Sequence, residues 1–236
     1  MTDTDTDTAE RRRRAGRPRL RPAADAGLPA REEILAASAA LFVTQGLAST
    51  TTRQIAERVG IRQASLYYYF SGKDEILLEL LTRSVRPSLE VAHRLESRCG
   101  TDPAAGLYAL AFIDVRTLAE APHNIGMLYL LPEVQGPQFA SFRAERESLQ
   151  AVYARLAAAA SALPGPDREL TGALSMQLVE SVIHLRRAGP LRDDADHEIA
   201  AACLRLAGLP PAAAARARDA AAALLADTGP ADGGSG

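Results

Sequence analysis

The sequence predicts an all-α protein, with an N-terminal three-helix helix-turn-helix domain and a larger C-terminal helical domain. Three observations carry this. From Ala30 onward apolar residues recur at three- and four-residue steps, the period of a helix with one buried face. Proline and glycine punctuate the gaps at 122, 132, 136–137, 164–166, 189–190 and 208–211. Alternating β-branched runs and Asn-Gly hairpin signals are missing.

Residues 1–28, with a TDTDTDT repeat and the run ERRRRAGRPRLRP, have no apolar periodicity and read as a disordered basic arm. Within it Gly16-Arg17-Pro18-Arg19 has the form of an extended segment whose Arg17 and Arg19 enter a narrow A·T minor groove. A polybasic tail touching phosphates is the alternative. A first helix is expected over Ala30 to Gln45, with Ile34, Leu35, Leu41 and Phe42 inward and Gly46 as its stop. Thr51 and Gln54 have capping-box spacing, so a second helix starts at Thr52 and turns Ile55, Ala56 and Val59 inward before Gly60 ends it. A third, from about Gln63 to Phe70, anchors itself through Leu66 and Phe70 and leaves Arg62, Gln63, Ser65 and the Tyr67-Tyr68-Tyr69 run largely off the core. Two short helices joined by a tight turn, behind an arginine-rich arm, are a means of placing one helix in a DNA major groove.

Ser71 followed by Asp74 reads as a second cap, opening a fourth helix with Ile76, Leu77, Leu80, Leu81 and Val85 on its buried stripe. Proline lacks an N–H and crowds the carbonyl four residues back, so this helix is expected to kink or break near Arg83 to Pro87. Further helical segments follow over Pro103 to Ala121, Asn124 to Leu131, Gln138 to Leu163, Asp167 to Ala188, Ala195 to Leu206 and Ala212 to Ala226.

The net charge of −2 conceals an asymmetry: Ala9 to Lys73 holds 12 basic against five acidic residues, and residues 74–236 hold 15 against 21. A basic front on an acidic body is the electrostatic footprint of a nucleic-acid reader. No run of 18 apolar residues and no signal peptide is present, which points to a cytoplasmic protein without a membrane partner. Cys99 and Cys203 have no metal-ligand spacing, and His93, His123, His184 and His197 have none either, so neither a metal nor a cofactor is expected. GxSxG, HExxH, phosphate-loop and dinucleotide motifs are also missing, so no enzyme activity is expected.

Gly46, Thr50-Thr51, Ile55-Ala56, Gly60-Ile61, Leu66-Tyr67, Phe70 and Lys73 together resemble the DNA-binding domain of the TetR family of transcriptional regulators. The resemblance implies contacts to double-stranded DNA from Thr51, Thr52 and Arg53, and from Gln63, Ala64, Ser65, Tyr67, Tyr68 and Tyr69, with Lys73 completing the set, and Arg62 adds a positive charge close to the DNA. The chemistry agrees: Arg53 can donate twice to guanine, Gln63 can pair adenine, and Lys73 is a point charge for a phosphate. Three positions depart from the usual family residues, Arg62 for Ser, Ala64 for Gly and Tyr69 for His. Operator preference should shift accordingly, and loss of the Ser cap should weaken the start of the third helix by roughly 1 kcal/mol.

The resemblance further implies a homodimer on a palindrome and a small-molecule effector. Four parts are then expected: the arm over 1–28, a DNA-binding domain over 29–75, a ligand-binding and dimerisation domain over 76–228, and a flexible tail over 229–236. Candidate dimer residues are Leu174, Leu178, Val182, Leu185, Ile199 and Cys203; ordinary core is the alternative reading of these stripes. Candidate pocket residues are Tyr108, Phe112, Met127, Tyr129, Phe142, Met176 and Gln177, and their composition points to a hydrophobic effector. The expected function is a repressor released by its effector. The alternative is a constitutive or thiol-redox-controlled DNA-binding protein whose C-terminal half only dimerises.

Overall fold

The computed structural model describes residues 30–226, apart from 101 and 164 and the side chains of 165–169. Helix α1 (Ala30–Gln45) buries Ile34, Leu35, Leu41 and Phe42 and ends at Gly46, whose φ of 87° lies in the left-handed region. Helix α2 (Thr52–Val59) has the expected capping box: Gln54 N donates to Thr51 Oγ1 at 3.2 Å, and Thr51 N donates to Gln54 Oε1 at 2.7 Å. Gly60, with φ 78°, turns the chain into α3 (Gln63–Tyr69), whose N-cap Arg62 makes no side-chain capping bond. Leu66 and Phe70 seat α3 on the core shared with Ile34, Phe42 and Ile55.

Helix α4 (Lys73–Arg98) differs from expectation at two points. It is a single 26-residue helix that continues through Pro87. Burial of Leu81, Val85, Ser88, Ala92 and Leu95 against the body on both sides of the proline offsets the lost hydrogen bond. At its start Ser71 pairs with Glu75 rather than Asp74, the Ser71 amide and hydroxyl donating to Glu75 Oε2 at 2.6 and 2.8 Å. These bonds hold the Glu75 carboxyl below its ordinary pKa. Asp74 instead accepts from Gln138 Nε2 at 3.1 Å.

Helix α5 (Pro103–Glu120), capped by Asp102, is the central element, buried along most of its length and packed by α4, α6 (Ala140–Ala160), α7 (Gly165–Ala188), α8 (Ala195–Leu206) and α9 (Pro211–Ala226). The helix expected over 124–131 is one 3-10 turn, Ile125–Leu128; α6 starts later than expected, after the 3-10 turns Pro132–Gln135 and Pro137–Phe139. Prolines at 132 and 137, which donate no amide bond, favour such short pieces. At Gly172 a Cβ would fall 2.3 Å from Ala154 Cα, so glycine permits α6 and α7 to approach backbone to backbone. Helix α1 is tied to α4 by ion pairs, Arg31 to Glu79 at 2.5 Å and Arg83 to Glu32 at 2.7 Å, and Arg83 also pairs with Glu79 within α4 at 2.5 Å. Arg31 also lies 4.4 Å above the Phe70 ring.

Candidate nucleic-acid interface

The capping box and the Gly60 turn set α2 and α3 side by side, so that one solvent-facing surface carries both helix starts. Arg53, Arg62, Gln63, Ala64, Ser65, Tyr67 and Tyr68 are exposed on it, Thr51 is exposed at its edge, and Thr52 is half-buried. Gln63 Nε2 donates to Thr52 Oγ1 at 2.9 Å, and the Thr52 and Tyr67 hydroxyls lie 3.1 Å apart, so three polar side chains from two helices are held together. Gln63 Oε1 is left available as an acceptor. Arg53 Nε donates to Glu57 at 2.8 Å in a fully exposed pair. Exposed pairs of this kind are weak, so Arg53 can exchange Glu57 for a base edge at little cost.

The tyrosines divide by exposure. Tyr68 is 85% exposed and Tyr67 50%, whereas Tyr69 is half-buried, packs on the core and meets Tyr68 edge to face at 5.3 Å. The resemblance made Lys73 a phosphate ligand; here Nζ is half-buried and donates to Leu47 O at 2.8 Å, tying the loop after α1 to the start of α4. An ammonium has three N–H donors, so the one bond to Leu47 leaves two that can still meet a phosphate. Arg17 and Arg19 lie outside the described residues.

In the C-terminal part a cleft of about 330 Å³ lies between the Ile125–Leu128 turn and α7. Of the expected pocket residues it takes in Met127, Tyr129 and Gln177. Tyr108, Phe142 and Met176 are core instead, each no more than 3% exposed, and Phe112 packs against both Tyr108 and His197. The Tyr108 hydroxyl meets His197 Nδ1 at 2.7 Å and so ties α5 to α8. Of the expected dimer residues, Leu174 and Leu185 are exposed on α7 beside exposed Leu170, while Leu178 and Ile199 are half-buried. Val182 and Cys203 are both fully buried inside the protomer, so they cannot form an outer face; they lie on the inward sides of their helices.

Periodicity gave no sign of the polar contacts that join α4, α5, α6 and α7. Asp114 accepts from Ser88 Oγ at 2.6 Å and Tyr153 Oη at 3.1 Å, and burial raises its pKa from 3.8 to about 6. Arg146 grips Glu180 through Nε at 3.1 Å and Nη2 at 2.5 Å. Partners so distant along the chain leave no local pattern. Burial also pushes the Cys203 thiol up to about 12 and raises that of Cys99. Among the described residues no group of three or more His, Cys, Asp or Glu could hold a metal ion, and no helix is long and apolar enough to cross a membrane.

The family model described as "Bacterial regulatory proteins, tetR family" matches residues 34–80. The crystal structure of Mycobacterium smegmatis AmtR is 38% identical, with a TM-score of 0.77 over 86% of this chain and 98% of that one. The HTH-type transcriptional repressor KstR2 of Mycobacterium tuberculosis H37Rv is 47% identical over 51 residues, 22% of this chain and 26% of the relative. KstR2 of Rhodococcus jostii is 34% identical over 99 residues, 42% of this chain and 48% of the relative. The matches thus span between a quarter and a half of those curated relatives. With the helix-turn-helix in place and AmtR alike over nearly its whole length, the chain belongs to the TetR family of bacterial transcriptional regulators.

Proposed function

We propose that this chain is a cytoplasmic transcriptional repressor that binds a palindromic operator as a homodimer and is released by a small effector. The observation that carries the reading is the α2–α3 face, where Gln63, Thr52 and Tyr67 are held together beside exposed Arg53 and Tyr68. Arg53 and Gln63 supply base readout, while the tyrosine hydroxyls, Thr51 and Lys73 supply phosphate contacts. The exposed leucines at 170, 174 and 185 give α7 an apolar outer face for the partner subunit. Two α3 helices about 34–36 Å apart would then meet successive major grooves. Because α4 is continuous through Pro87 and ion-paired to α1, the effector acts by tilting α4 as one body with the N-terminal domain, which changes that spacing. The thiol-redox alternative has less support: both thiol pKa values are raised, and a sensing cysteine needs an accessible thiolate.

Selection of bound sequences from random duplexes tests the reading. A two-fold symmetric site should emerge. Arg53→Ala and Gln63→Ala should each lose preference at particular bases, at about 1–3 kcal/mol per contact. Lys73→Ala should weaken all sites alike and flatten the salt dependence by about one phosphate. Selection without any preferred sequence would refute the proposal.

A further inference from the structure

We propose that the cleft between the Ile125–Leu128 turn and α7 binds a small carboxylate with an apolar body. This rests on the reading of the chain as an effector-released repressor and changes the effector from purely hydrophobic to amphipathic. At about 330 Å³ the cleft is of metabolite size. Met127, Leu130 and Ile183 supply its apolar surface; Arg146, His184 and Arg187 lie at its polar side. Glu180 is the acid in the lining, and it is already engaged by Arg146 and, at 3.2 Å, by Gln177 Nε2. With Arg146 and Glu180 neutralising each other, Arg187 leaves the cleft with a net positive charge, and no described acid pairs with it. Arginine is suited to recognising a carboxylate in two-pronged fashion, and the hydrocarbon wall would receive the rest of the molecule.

The cleft is also connected to α4. The Tyr129 ring forms part of its wall, beneath the Arg146 guanidinium at 5.4 Å, and the Tyr129 hydroxyl lies 2.9 Å from Ser84 Oγ. Ser84 in turn borders a second groove, where α4 faces Glu32 and Leu35 of α1. A ligand that displaces Tyr129 therefore acts on α4 at the point where α4 holds the DNA-binding helices.

The test uses the full chain with octanoate and phenylacetate as probes and octanamide and phenylacetamide as uncharged controls. Isothermal titration should show the carboxylates binding at least about tenfold more tightly than the amides, and Arg187→Gln should abolish the difference. Equal binding of acid and amide, or no binding of either acid, overturns the proposal. On a selected duplex the bound acid should weaken DNA affinity. Ser84→Ala should still bind the acid yet lose this effect. Tyr129→Phe should lose it too, and serves if Ser84→Ala does not fold. If both variants release DNA like the parent, the connection to α4 is wrong. A chain that binds duplex but neither acid refutes the carboxylate site alone, whereas one that binds acid but no duplex refutes the repressor reading alone.

Discussion

Asp114 shows how one residue can make stability depend on pH. Its carboxylate, closed off between α4, α5 and α6, titrates near pH 6 rather than 3.8 because burial disfavours the charge more than the Ser88 and Tyr153 hydroxyls restore it. The native state thus binds the proton more tightly than the unfolded chain does. The resulting stability is fully present below about pH 4 and is lost as pH rises through 6, to the extent of about 3 kcal/mol. Urea unfolding over this range should show the decline in the parent and a much flatter profile in Asp114→Asn. An unchanged slope in the variant would assign the dependence to other groups. The buried bonds of Asp114 left no pattern in the sequence, because Ser88 and Tyr153 reach it from two other elements. Arg146 and Glu180 were hidden for the same reason. Gln63, Tyr67 and Tyr68 were legible because Leu66 and Phe70 fix which side of a seven-residue helix faces the core.

Among the elements, the longer helices followed from periodicity and from Pro and Gly punctuation, and the cap at Thr51 was visible in its spacing to Gln54. Of the kink or break expected at Pro87 the break is absent, since propensity is local and the buried stripe that keeps the helix together runs along its whole length. The close approach of α6 and α7 was equally invisible, because a glycine in a helix looks like a weak point until its neighbour is known. Gly172→Val should lower stability by about 3 kcal/mol or more, since the added atoms meet the Ala154 backbone, which cannot yield cheaply. Gly72→Ala, whose Cβ would meet nothing within 4 Å, is the matched control and should change thermal unfolding little. Equal effects of the two substitutions would show that the α6–α7 contact does not set the cost.

Taken whole, the molecule sets the α2–α3 face at the start of α4 and the cleft against the middle of that helix. Lys73 opens that helix beside the α2–α3 face, and Ser84 meets the wall of the cleft further along. The exposed leucines of α7 lie next to the same cleft, so the proposed dimer face and the proposed effector site share an element. Leu174→Glu would place a charge on the outer face without disturbing the core, since Leu174 is 39% exposed. Sedimentation should then show monomers where the parent shows dimers, with operator affinity falling accordingly. The measurement that bears most directly on the central claim is light scattering of the parent chain on its selected duplex, combined with a hydroxyl-radical footprint. Two chains per duplex are expected, protecting two half-sites about 34–36 Å apart on one face of the helix. One chain protecting a single half-site, or protection without two-fold symmetry, would contradict the account.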